Sequence, residues 1–287
     1  MSKFNALENP WDTSISVSVE TVSQQISNLE TEELSREGLT QAITGLFGNV
    51  FNTLRLSVNE VFKVQDAQLS LNHSLYGKIN SKALSTNYSE LMDREVPAPA
   101  GIKGTFVDYA KESNELASTI LKVPSLVEQL RADIGRIVST KDGLRDVTLF
   151  NDSFYTKAEN ELDTALKNLA KVRTKDDYSA MRAYGDLFRN NNELVTAVSL
   201  TNTNNQAYNV IDRKKLMASV ESTMGYVRTL NEIAKRDGFN KQLLIKIGKA
   251  VSVVARYVEA YSSAFYNQKM QNETLDSIVS EINELVK

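Results

Sequence analysis

Any chemistry in this 287-residue chain would have to be built from one histidine, no cysteine and scattered acids and bases. The histidine, His73, sits in Leu71-Asn72-His73-Ser74-Leu75. A single histidine cannot supply a two-histidine zinc site, a di-iron bundle with paired Glu-x-x-His, or bis-histidine haem ligation. The absence of cysteine removes disulfides, thiolate metal sites, iron–sulfur clusters and cysteine nucleophiles. A Ser-His-Asp triad would have to use His73, yet no G-x-S-x-G elbow occurs, and no serine stands three residues before a lysine. Gly38, Gly45 and Gly48 follow no strand pattern and lack the Gly-Lys-Ser/Thr ending of a phosphate-binding loop. The acid pairs Glu32-Glu33 and Asp176-Asp177 could in principle hold a cation or move a proton. Adjacent carboxylates on a helix diverge, so solvated faces are the expectation. The residues therefore predict no catalytic group, no metal ligand, no cofactor and no enzyme.

Two stretches rise above background. Between Arg213 and Arg256 ten cations face only Glu221, Glu232 and Asp237, in a chain whose net charge is −3. Arg213, Lys214, Lys215, Lys241, Lys246, Lys249 and Arg256 are the candidates for contact with an anion or an acidic partner, nucleic acid included. The plainer reading is a solvated face, or a match for residues 8–37, where seven acids meet Arg36 alone. The second stretch, Gly38 to Leu54, is uncharged and carries three glycines. It reads as a core helix with close-packing glycines, or as a membrane-active amphipathic segment.

Only 12 glycines and 4 prolines punctuate the chain, and every proline lies at or before Pro124. Both residues weaken helix interiors, so their scarcity points to long helices and away from sandwiches and barrels. Ile15, Val19, Val22, Ile26 and Leu29 step by four and three, the spacing of a helical seam. Asp12 or Thr13 is placed to cap that helix, and alternation at Ile15, Val17 and Val19 offers a competing strand. A second pattern begins at Leu39 and runs through Phe47, Val50 and Val61. Val96-Pro97-Ala98-Pro99-Ala100-Gly101-Ile102-Lys103-Gly104 is the clearest break. It divides an N-terminal helical region, 1–95, from a C-terminal bundle, 105–287, with 96–104 as linker or arm. Beyond it, Phe106 to Ile120 reads as a helix that Pro124 interrupts, and Leu126, Leu130, Ile134 and Ile137 form its successor. Lys141-Asp142-Gly143 is a turn, and Asp152 or Ser153 caps the next helix. A helix from about Asp177 carries Met181, Tyr184, Phe188, Val195 and Val198, and Thr201 to Asn209 reads as a polar loop. Leu216 to Ala234 forms another helix, stopping at Asp237-Gly238.

The last helix has the strongest pattern. From Leu244, steps of three and four reach Ile247, Val251, Val254, Val258, Tyr261, Phe265, Gln268, Asn272, Leu275, Val279, Ile282 and Val286. Only Gln268 and Asn272 in that run are polar. Leu244, Val251, Val258, Phe265, Leu275, Val279 and Ile282 are the candidate assembly seam, with Asn272 at an a position. A buried amide there costs stability but specifies register and partner number. The alternative is that Gln268 and Asn272 leave the core, because Leu243, Ile245 and Val253 broaden the first half into a bundle face. The expected fold is all-α: an elongated helical bundle with a long C-terminal helix capable of coiled-coil pairing. No window is long and apolar enough for a stable membrane span.

Asparagine occurs 25 times, clustering at Asn190 to Asn192 and Asn202 to Asn209. With one His, no Cys and long helices broken by Pro-Ala-Pro-Ala-Gly, the chain resembles virion structural proteins of large tailed bacteriophages. The likeness is to helical internal-head and other accessory particle proteins. It is one of overall character, most evident over Val96 to Lys122 and Ala183 to Asn209, with no defining motif. The resemblance implies a non-enzymatic part of a large assembly, made in the host cytoplasm and located in the virion. Its partners would be other virion proteins or further copies of itself.

Overall fold

A computed structural model describes residues 14–31, 38, 41–42, 44–50, 52–53, 55–56, 71, 75–76, 88–98, 102, 104–169, 180–237 and 239–285. The all-α expectation holds: helices dominate these residues, beside one two-stranded sheet. The chain divides into two compact units. The first comprises Met1–Asp66, Lys122–Leu162 and Ile211–Ser262; the second comprises Ala67–Leu121, Asp163–Val210 and Ser263–Lys287. The stretch 96–104 lies inside the second unit and does not separate the two.

In the first unit, α1 (Ser14–Thr31) forms over the seam read from its spacing, with Val22, Ile26 and Leu29 buried, so the strand alternative fails. Its candidate caps Asp12 and Thr13 lie outside the described residues. Helix also covers residues 44–50, burying Leu46, Phe47 and Val50. Those three apolar side chains of the uncharged run are core of the unit. A Cβ on Gly248 would stand 3.0 Å from Ile26 and 3.6 Å from Leu46, so glycine lets those side chains approach the helix carrying it.

Pro124 starts a helix in the first turn, where its missing N–H costs nothing, giving α4 (Val123–Ser139) after α3 (Phe106–Ile120). The turn at Lys141-Asp142-Gly143 is realised with Asp142 left-handed at φ 58°. Beyond it, α5 (Asp152–Leu169) begins, and α8 (Arg213–Asp237) packs against α4. Helix α9 runs Lys241–Leu285 and gives its residues up to Ser262 to this unit.

The second unit begins in the described chain with α2 (Tyr88–Leu91) and β1 (Glu95–Ala98). β1 pairs antiparallel with β2 (Ala180–Ala183), Val96 opposite Arg182 and Pro97 opposite Met181. A two-stranded sheet has a free edge on each strand, which accommodates a proline lacking its N–H. Val96, Pro97 and Ala98 are therefore docked as a strand, and Arg182 Nη1 donates to Ile102 O at 2.9 Å. Gly104, at φ +98°, precedes Thr105, whose hydroxyl caps α3 in a capping box with Asp108.

Two expectations fail nearby. The helix expected from about Asp177, whose first residues lie outside the described ones, is not continuous from 180: 180–183 is strand, α6 (Tyr184–Leu187) is a single turn, and Asn190 caps a new helix, α7 (Asn191–Asn209). Met181, Tyr184 and Phe188 have helical spacing, but strand pairing decides the first, which is exposed. The aromatic core decides the others: Phe188 stacks on Phe106 with centroids 5.8 Å apart and packs on Tyr184 at 4.9 Å. The second failure is the polar loop. Thr201 to Asn209 is helix, and Thr201, Asn204 and Asn205 are buried in it. Weak helix formers persist there because their side chains find partners across the bundle.

Candidate functional site

Every described position of the C-terminal run, Leu244 through Ile282, is buried within the single chain, Val286 lying outside the described residues. Leu243, Ile245, Val253, Tyr257, Gln271 and Ile278 are buried as well. The candidate seam of Leu244, Val251, Val258, Phe265, Leu275, Val279 and Ile282 is thus core of this chain's own bundle. A helix buried around this much of its circumference packs as core in each unit and is not one half of an open zipper.

The polar interruption stays in that core. Gln268 and Asn272, 1 % and 4 % exposed, meet Asn205 on α7. Gln268 Nε2 donates to Asn205 Oδ1 at 2.9 Å and to Thr201 O at 3.1 Å. Asn272 Nδ2 donates to Asn205 Oδ1 at 3.1 Å, and Asn205 Nδ2 donates to Asn272 Oδ1 at 3.0 Å. The layer extends to α3: Asn204 Nδ2 donates to Ala110 O at 3.2 Å, and Gln271 Nε2 to Ser113 Oγ at 2.5 Å. Three helices of the second unit are held in register by neutral side chains. A one-turn slip of α7 against α9 would take Asn205, Gln268 and Asn272 away from one another's amides. Asn272 is paired at its heptad position, and its partner, Asn205, is on a helix of the same chain.

Three cations of the basic stretch are paired internally. Lys249 Nζ lies 2.7 Å from Glu30, the match to the acidic N-terminal stretch that composition suggested. Lys246 pairs with Asp152 at 3.2 Å and Arg256 with Glu159 at 2.8 Å. These pairs tie α1 and α5 to the first part of α9. Lys214 and Lys215 are exposed, Lys241 is half-buried, and Arg213 opens α8. His73, Glu32-Glu33 and Asp176-Asp177 lie outside the described residues.

Sequence reasoning passed over one buried acid. Asp133 is fully buried on α4; its Oδ2 accepts from Tyr155 Oη at 3.0 Å and its Oδ1 from Gln129 Nε2 at 2.9 Å. Burial first, then the Asp133 charge, pushes the Tyr155 phenol far above its ordinary value. The signal was present: Asp133 stands beside Ile134 on the stripe of Leu126, Leu130 and Ile137. Tyr257 is a neutral counterpart, donating to Ala158 O at 2.8 Å, and burial pushes it up to about 12. Among the described residues no three His, Asp or Glu side chains converge in a way that could hold a metal ion. No described helix is long and apolar enough to cross a membrane.

Helices α4 and α8 are joined at Glu128, which accepts from Arg131 and from Ser219 Oγ at 2.8 Å. Those bonds, Arg131's first, hold its carboxyl at about 2, below the usual 4.5. A depressed folded value means stability present above pH 4.5 and lost as pH falls toward 2. The melting-temperature deficit of Glu128→Gln should therefore be present at neutral pH and close over that window. A deficit constant with pH would show that Glu128 acts through packing alone.

Compared with protein-family models, curated protein sequences and solved structures, the chain matches none.

Proposed function

We propose that this chain is a structural component of a phage particle, an internal-head or other accessory virion protein that works by contact and turns over no substrate. The observation that carries the reading is the amide layer of Asn205, Gln268 and Asn272. Buried amides forgo the apolar contacts that leucine would make there, and what they return is one defined register. Fixed geometry is what a repeated building block requires. The asparagine-rich, cysteine-free, long-helix character that the chain shares with such virion proteins supports the same reading.

Because the C-terminal seam is already filled, contacts to other virion proteins or to further copies fall to exposed helix faces. Lys214 and Lys215 on α8 belong to such a face. DNA contact through the basic stretch has less support, since Lys246, Lys249 and Arg256 already pair within the chain. Insertion of Gly38 to Leu54 into a membrane has less support too, since Leu46, Phe47 and Val50 are core.

The test is quantitative mass spectrometry of gradient-purified particles of the phage that encodes the chain. A fixed copy number relative to the major capsid protein, retained after a high-salt wash, is expected. Absence from particles, with the protein abundant in the infected lysate, would remove the virion role.

A further inference from the structure

The core of the second unit offers more hydrogen-bond acceptors than its own side chains satisfy. Thr201 Oγ1, Asn204 Oδ1, Gln268 Oε1 and Gln271 Oε1 are buried, and none has a hydrogen-bond partner among the described residues. They fall into two pairs. Thr201 and Gln268 are already linked through Gln268 Nε2 and Thr201 O. Asn204 and Gln271 both reach α3, at Ala110 O and at Ser113 Oγ one helical turn further on.

In each pair every amide nitrogen already donates at least once, while the four oxygens are reached by no group among the described residues. Turning the Gln268 or Asn204 amide end for end would set its oxygen against a backbone carbonyl, so those two orientations are fixed by Thr201 O and Ala110 O. Each buried oxygen without a donor costs about 1–3 kcal/mol. Protein interiors meet such demand with internal water, which makes two to four hydrogen bonds to buried polar groups.

We propose that the amide layer is an internal hydration site, with water bound among α3, α7 and α9. One water donates to Thr201 Oγ1 and Gln268 Oε1, and another to Asn204 Oδ1 and Gln271 Oε1. Water fits where a cation does not. Every side chain bonded within the layer is neutral, so an ion would bring an uncompensated charge into the interior. Water brings two donors and no charge. The inner face of α7 is half apolar (Leu194, Ala197, Tyr208) and half wet (Thr201, Asn204, Asn205), so directional bonds hold its C-terminal half in place. The inference is independent of whether the chain resides in a virion.

The test is water-to-amide NOE and ROE spectroscopy on the full, deuterated, 15N-labelled chain. Cross-peaks of long-residence sign are expected between water and the side-chain amides of Gln268, Asn204 and Gln271. In Thr201→Val the water cross-peak at the Gln268 amide should weaken, while those at Asn204 and Gln271 persist. Should that variant not fold, the parent spectra decide alone. Silence at all three amides overturns the proposal. So does a melting temperature that rises with potassium, sodium or ammonium but not with choline at equal ionic strength, because an ion would then fill the layer.

Discussion

Gly143→Ala is expected to lower the unfolding free energy of the first unit by about 3 kcal/mol, a large effect for a single methyl group. The added Cβ would lie 2.1 Å from Ile137 O and 3.0 Å from Ile137 C, both backbone atoms of the last turns of α4. A side chain could rotate away, but this carbonyl cannot, because the turn is anchored around it. Gly143 N donates to Thr140 O at 3.0 Å, Arg145 N to Asp142 O at 2.8 Å, and Asn240 N to Leu144 O at 2.8 Å. Relief requires pulling the whole turn off α4. The matched control is Gly225→Ala, in the middle of α8, where an added Cβ meets nothing within 4 Å. There the change should stabilise by about 0.5–1 kcal/mol through helix propensity alone. Urea unfolding of the two variants beside the parent checks both signs. Two variants of equal stability would contradict the close approach at Gly143.

Asp133→Ala should cost a comparable 3–4 kcal/mol, by a different route. Removing the carboxylate leaves the buried Tyr155 hydroxyl and the half-buried Gln129 amide without their acceptor. Each lost acceptor carries about 1–3 kcal/mol of desolvation. Tyr155→Phe alone deprives the buried carboxylate of one donor and should also destabilise. The double variant Asp133→Ala/Tyr155→Phe should be less damaged than the sum of the two singles, because the second change removes a group that the first had orphaned. Additive losses in that thermodynamic cycle would mean that the 3.0 Å contact carries no coupling.

How far these groups could be read in advance depended on whether their partners were near in sequence. The α9 stripe is a local property, so spacing alone located Leu244 through Ile282, and every one of those positions is core. Spacing also isolated Gln268 and Asn272, but it left two outcomes open, because their fate depends on Asn205, which lies 67 residues before Asn272. Asn205 sits in TNTNNQAYN, whose residues individually favour turns and caps. Only the bonds made across the bundle turn that run into helix. The same limit applies to Val96-Pro97-Ala98. Prolines and alanines read as a linker until Ala180–Ala183 arrives to pair with them. Asp133 was the legible miss. A carboxylate beside Ile134 on an apolar stripe calls for a buried donor, and Tyr155 is that donor, 22 residues further on.

The proposed role depends on the C-terminal seam being the interior of one chain. Native-state hydrogen exchange along α9, at protein concentrations a hundredfold apart, tests this most directly. With the seam buried within the chain, amide protection from Leu244 to Ile282 is the same at both concentrations. Protection that collapses on dilution would mean that a second chain covers Val251, Val258 and Val279, and the seam would then be an interface and not a core.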